Sequence, residues 1–232
     1  MENKGVLNGN HLKLIAALTM LLDHAGILLF PRVQLFRILG RFAYPIFAFM
    51  IAEGCRYTRH RLRYFLMVFG LGAGCQLVYY FASGDTYLNI LLTFSCSILL
   101  IYCLRALHKE QDWLQQFWLS LLFAFLFAGV YGLTQIVTLD YGFWGIMVPV
   151  FVSLAHVRKW PRWAEMLLLG VALLFLAADL GGIQHYALLS IPVLLLYNGQ
   201  RGKVNMKYFF YIFYPVHLAV LQDPHPFGGK DL

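Results

Sequence analysis

Residues Leu12–Phe30 read LKLIAALTMLLDHAGILLF, an apolar run that nonetheless carries Lys13, Asp23 and His24. Crossing the hydrocarbon core of a bilayer takes about 20 apolar residues of helix, so the run has the length of a membrane span. Ionisable side chains are costly in such a helix and usually face a bundle interior or a wet cavity, where they serve function. Lys13 and His24 are eleven positions apart. With about 3.6 residues per turn and roughly 1.5 Å of rise per residue, both fall on one helix face, about 16 Å from each other. Phe30-Pro31-Arg32 follows in place of a small-residue cleavage pattern, so the run reads as an uncleaved helix.

The rest of the chain has the same character. Of its 232 residues 60% are apolar and 12% charged, and the mean hydropathy is +0.67. A soluble domain of that composition would lack the polar surface to stay dissolved. The chain is therefore read as an all-α polytopic membrane protein, a single integral membrane domain over residues 1–232. Nine apolar segments follow in order: Leu12–Phe30, Leu35–Gly54, Tyr64–Ala82, Leu88–Leu107, Phe117–Val137, Tyr141–Val157, Trp163–Ala178, Tyr186–Tyr197 and Tyr208–Leu221. They predict a bundle of about nine transmembrane helices. The alternative is eight helices plus a re-entrant segment, because Tyr186–Tyr197 is short and interrupted by Pro192. GLGAG at Gly70–Gly74 predicts a close-packing helix face, since small residues four apart let helices approach in lipid.

A net charge of +7 would suggest nucleic acid in a soluble protein. Here the cations gather in loops, where membrane topology accounts for them and no nucleic-acid partner is implied. Lys4 and Lys13 flank the start of segment one, Arg56, Arg59, Arg61 and Arg63 follow segment two, and Arg105 and Lys109 follow segment four. Arg158, Lys159 and Arg162 follow segment six; Arg201, Lys203 and Lys207 follow segment eight. The intervening loops hold Asp85, Asp140 and Asp179, with Arg32 and Arg37 as the exceptions. Retention of Lys and Arg on the inner side then places the N-terminus in the cytoplasm. Cys55, Cys75, Cys96 and Cys103 lie in or beside apolar segments with no metal-site or disulfide spacing, and no metal is expected.

His24 is the candidate catalytic base, because an imidazole accepts a proton near neutral pH. Asp23 is a second catalytic candidate; it orients the imidazole through a neighbour or pairs with Arg41, which lies at similar depth in segment two. A basic residue at the cytoplasmic surface and a base at mid-membrane suit a ligand with anionic phosphates and a long thin arm, the shape of coenzyme A. Lys13, Arg56, Arg59, Arg61 and Arg63 are its candidate contacts; plain charge retention is the competing account of the loop arginines. Arg37, Tyr44, Glu53, Tyr214 and His217 are secondary, substrate-side candidates, His217 for its mid-depth position in YPVHL. No Walker loop, dinucleotide fingerprint or GxSxG elbow occurs.

Four stretches together resemble the TraX family of bacterial conjugation-associated membrane proteins: LKLIAALTMLLDH (Leu12–His24), GRFAYPIFAFMIAEG (Gly40–Gly54) with RYTRHRLRY behind it, DYGFWG (Asp140–Gly145) and KYFFYIFYPVHL (Lys207–Leu218). The resemblance runs from the first helix to the last. It implies a multi-pass protein of the bacterial inner (cytoplasmic) membrane that acetylates a pilin-like N-terminus or another amine or hydroxyl, and a distant kinship with the larger transmembrane acyltransferases. Those carry a basic residue, ten intervening positions and a histidine in their first helix, matched here by Lys13 and His24. By that resemblance Lys13 contacts acetyl-CoA, Arg41 with Arg56, Arg59, Arg61 and Arg63 lines the donor site, His24 is the base, and the acceptor is a pilin-like peptide, a glycan or a small molecule. This chain is shorter than those acyltransferases and has Lys where they commonly have Arg. The rival expectations are a proton-coupled transporter or flippase, against which stands the lack of inverted repeats, and a non-catalytic membrane assembly factor.

Overall fold

The computed structural model describes residues 5–84 and 86–204, together with Phe213 and Val216. Segment nine otherwise lies outside the described residues, as do Tyr214 and His217. Nine α-helices are delimited among the described residues, in chain order α1 Gly9–Leu28, α2 Gln34–Gly40, α3 Ala43–Tyr57, α4 Arg61–Ser83, α5 Ile90–Lys109, α6 Trp113–Ile136, α7 Gly142–Val157, α8 Arg162–Leu180 and α9 Ser190–Leu195. A 3-10 helix, Gly182–Leu189, lies between the last two. Among the described residues the only extended pairing is two isolated bridges, Leu7 with Tyr197 and Leu88 with Leu139.

Of the nine expected spans, the first eight fall among the described residues. Among the described residues six stretches are long and apolar enough to cross a membrane: Gly9–Leu28, Gln34–Tyr57, Arg61–Phe81, Ile90–Lys109, Trp113–Ile136 and Arg162–Leu180. Segments six and eight form shorter apolar stretches, Gly142–Val157 and Gly182–Leu195. The first is cut short by left-handed backbone at both ends, Tyr141 and Gly142 before it and Lys159 after it. The second follows Gly181 and Gly182, both at positive φ, where the chain turns before it can continue α8.

The described residues of Met1–Met50 and Leu173–Leu232 form one compact unit, those of Ile51–Ala172 another. In the first, α1 starts at Asn8, whose side chain accepts from the N–H groups of Asn10 and His11 and so satisfies donors the helix leaves open. α2 packs back against α1. Glycine makes that approach possible: a Cβ on Gly26 would meet Phe36 Cβ at 2.8 Å, and one on Gly40 would meet Asp23 Cβ at 2.3 Å. Leu12, Ala16, Ile46, Phe49, Leu173, Leu176 and Leu194 are buried, and Phe49 meets Tyr197 edge to face at 5.7 Å.

Segment eight runs beside α1 through most of its length. Gln184 near its start bonds Arg41, itself paired with Asp23, while Tyr197 at its end bridges Leu7. Leu7 to Asp23 is about 24 Å of helix rise. A 3-10 helix rises about 2.0 Å per residue, so a short 3-10 and α stretch covers the same length. The stretch from Gln184 to Tyr197 thus runs from the level of Asp23 to that of Leu7.

The second unit is built around α5, which packs against α4, α6 and α7. Ser97 of α5 donates to the Ile146 carbonyl at 2.8 Å and Thr93 to the Asp140 carbonyl at 2.9 Å, so polar side chains tie α5 to α7 and its entry loop. Of the GLGAG glycines expected to pack, only Gly72 does, against Leu91 and Leu92; Gly70 and Gly74 have open space around the positions a Cβ would take. Asp140, expected in a solvated loop, is 5% exposed, held where the chain turns through Tyr141 and Gly142 into α7.

Candidate functional site

α1 is one unbroken helix from Gly9 to Leu28, so the face bearing Lys13 and His24 is continuous. Lys13 is half-buried and His24 is 7% exposed. His24 Nδ1 lies 2.9 Å from the Met20 carbonyl. A carbonyl only accepts, so Nδ1 carries the proton and Nε2 presents the lone pair. Local helix geometry thereby sets the tautomer a base requires.

One residue earlier, the Asp23 carboxylate is taken up by two cations on successive turns. Arg37 Nε stands 3.3 Å from Oδ1, and Arg41 Nη2 is hydrogen-bonded to Oδ2. Arg41 also donates Nη1 to Gln184 Oε1 at 3.2 Å and Nε to the Arg37 carbonyl at 3.4 Å. Its guanidinium is engaged through all three nitrogens at the level of Asp23. That level is ten residues above Lys13, about 15 Å of rise, so Arg41 is not placed to share a phosphate with Lys13. The arrangement makes Asp23 an anchor for Arg37 and Arg41. Gln184, which spacing alone did not single out, is 4% exposed and completes the set. Tyr44, at the start of α3, is buried at 3% exposure.

At the foot of α1 the stretch after α9 is sewn to the helix. Leu7 N–H donates to the Leu196 carbonyl at 2.9 Å, Asn198 N–H to the Leu7 carbonyl at 2.8 Å, and Gly9 N–H to the Gln200 carbonyl at 2.7 Å. Asn10 Nδ2 adds a bond to the Val204 carbonyl at 2.7 Å. Two basic stretches that the charge pattern assigns to one side of the membrane, around Lys13 and around Arg201, therefore lie together.

Within the second unit a separate polar cluster forms. His156 Nε2 is 2.6 Å from Glu165 Oε1 and 3.4 Å from Glu53 Oε1. Arg162 Nη1 reaches Glu165 Oε2 at 3.2 Å, and Arg56 Nη1 reaches Glu53 Oε1 at 3.5 Å. The two carboxylates and the imidazole are nearly sealed from solvent. Their donor atoms lie within 4.8 Å of one another, a spacing that could surround a metal ion. Each carboxylate already holds a guanidinium, however, so charge closes within the cluster and a proton on Nε2 suffices to bridge it. The cluster locks the end of α3 to the end of α7 and the start of α8. Neither His156 nor Glu165 stood out in the sequence, although they flank one short basic turn; Glu53 meets them only through folding.

The arginine-rich stretch splits in role. Arg56 joins Glu53 and lies over the Tyr57 ring at 5.3 Å, and Arg61 lies over the Tyr102 ring at 5.8 Å. Arg59 and Arg63 are exposed. Arg105 donates to the Cys55 carbonyl and tethers the end of α3. Lys13 and His24 belong to the first unit and these arginines to the second.

The comparisons with known proteins fall in line with the motifs. The family model described as TraX protein matches residues 8–223. A protein of Dichelobacter nodosus described as probable fimbrial assembly protein FimC, serogroup H1, is 26% identical over 241 residues, covering 90% of this chain and 92% of that protein. No solved structure matches.

Proposed function

This chain belongs to the TraX protein family, and on that premise we propose that it is a multi-pass acetyltransferase of the bacterial inner membrane, its N-terminus in the cytoplasm, that uses cytoplasmic acetyl-CoA. The observation that carries the reading is the α1 face on which Lys13 stands about 16 Å below a histidine whose Nδ1–H is tied to the Met20 carbonyl. That separation is comparable to the pantetheine arm of the donor. Lys13 pairs with donor phosphates, and the arm runs along α1 to place the thioester beside His24. Nε2 takes a proton from the acceptor amine or hydroxyl, whose nitrogen or oxygen attacks the acetyl carbonyl. The new C–N or C–O bond forms as the C–S bond breaks, and the imidazolium returns its proton to the departing thiolate. Asp23 keeps Arg37 and Arg41 in place beside the base. Of the secondary candidates, Arg37 pairs with Asp23, and Glu53 with Arg56 and His156. The name of the Dichelobacter protein, together with the family, makes a pilin-like N-terminus the first acceptor to try.

The test is acetyl transfer to co-expressed candidate pilins, read as a mass gain of one acetyl group. Wild type transfers; His24→Ala, present in the membrane at the wild-type level, does not. Full activity in that variant overturns the mechanism. Unmodified acceptors alongside restored pilus assembly would favour the assembly-factor reading.

A further inference from the structure

We propose that Arg201 is a second donor-binding cation, forming with Lys13 a two-pronged cradle for the phosphate groups of a nucleotide-bearing thioester. This rests on the acetyl-CoA reading and deepens it, since the sequence presents Arg201 only as one charge in a basic loop.

The backbone places Arg201 at this spot. Its predecessor, Gln200, accepts the Gly9 N–H at 2.7 Å, and a Cβ on Gly9 would stand 3.2 Å from the Arg201 carbonyl. Its successor, Gly202, takes φ +90°, and a Cβ there would meet Asn10 Nδ2 at 2.7 Å. Only glycine supplies both the positive φ and the missing side chain, so the turn is built to lie flat on the foot of α1. Gly9 and Lys13 are one turn apart on the same helix face. The Arg201 backbone accordingly lies against the turn of α1 that ends at Lys13. Four hydrogen bonds, donated by Leu7, Gly9, Asn10 and Asn198, hold the two segments together.

Two basic residues brought by the backbone to the foot of the His24 face suit a group with several negative oxygens. Arg offers a planar fork that binds phosphate through two parallel bonds, and Lys adds a compact charge beside it. The ligand class is a phosphate-bearing acyl donor whose thioester end extends along α1. Anionic lipid headgroups share the phosphate chemistry, and the experiment separates the two sources.

Purified wild-type protein and the variants Arg201→Ala and Arg201→Lys are titrated in a detergent free of phospholipid with acetyl-CoA and with acetyl-pantetheine, which keeps the thioester arm and lacks phosphate. Arg201→Ala is expected to weaken acetyl-CoA binding by roughly tenfold or more, the size of one lost charge-assisted contact. Arg201→Lys recovers part of that loss, and acetyl-pantetheine binds all three proteins alike. Acetyl-CoA binding unchanged in Arg201→Ala overturns the inference and leaves the donor reading standing; Arg201 then serves topology or lipid headgroups. An equal loss for both ligands also overturns it, because the effect is then not on phosphate. Failure of wild type to bind acetyl-CoA overturns the donor reading itself, and the cradle with it.

Discussion

Gly40 and Asp23 touch so closely that a Cβ on the glycine would stand 2.3 Å from Asp23 Cβ and 2.5 Å from its Oδ1. The atoms in the way belong to the inner part of a short side chain already held by Arg37 and Arg41, so they have little room to move. Gly40→Ala is expected to destabilise the protein by about 1–3 kcal/mol, in the range of an overpacked interior. Thermal unfolding in detergent checks this, with Gly70→Ala, whose site is open, as the variant that leaves stability near wild type.

Asp23→Asn removes the charge that Arg37 and Arg41 share. Both acidic oxygens and the Arg41 side chain are mostly buried, and an uncompensated guanidinium in that setting costs about 3 kcal/mol or somewhat more. The double variant Asp23→Asn with Arg41→Gln is expected to be more stable than Asp23→Asn alone. A double-mutant cycle measures the coupling, and strict additivity would deny the pair.

Glu165→Gln tests the lock at the end of α3. It takes one negative charge from His156 and Arg162 while keeping the shape. The expected loss is about 3–5 kcal/mol, as for breaking a buried ion pair, with faster proteolysis at the exposed arginine stretch that follows α3. Arg162→Ala removes the more exposed partner and is expected to cost less.

Ser97→Ala sets the scale for a neutral contact between helices. It deletes the bond to the Ile146 carbonyl at 2.8 Å. Such bonds contribute roughly 0.6 kcal/mol on average inside membrane proteins, so the change in unfolding temperature should be small beside that of Glu165→Gln.

The legible part of the site was the part written within one helix. Lys13, Asp23 and His24 stand out because each is an ionisable group in an apolar run, and periodicity alone assigns the shared face of Lys13 and His24. Arg41 was legible as the partner of Asp23 by depth, because two consecutive segments joined by a short turn run antiparallel and residue counting from the turn gives the level. Arg37, Gln184, His156, Glu165 and Arg201 acquired their partners differently. Gln184 meets Arg41 across 143 positions of chain, and nothing near either residue announces the other.

Segment counting shows the same division. Hydropathy located every apolar stretch among the described residues, yet it measures composition and not rise. It therefore does not reveal that Tyr186–Tyr197 begins within a 3-10 helix, whose path gains length that an α-helix of the same residue count would lack. GLGAG reads as a packing face on the same local grounds, yet among the described residues only Gly72 has a close neighbour, because small size permits a close approach without supplying the helix that makes it.

By itself the sequence determined an apolar helical chain for a membrane, the family to which it belongs, and a first helix with a cation and a base on one face. Only the tertiary structure decided that Asp23 anchors two arginines, that Glu53 is locked to His156 and Glu165, and that the stretch bearing Arg201 lies against the foot of that first helix. The physical reason is that hydropathy and helical period are properties of neighbouring residues, whereas the pairing of charges depends on which helices pack together, and that is settled by shape complementarity and hydrogen bonding over the folded unit.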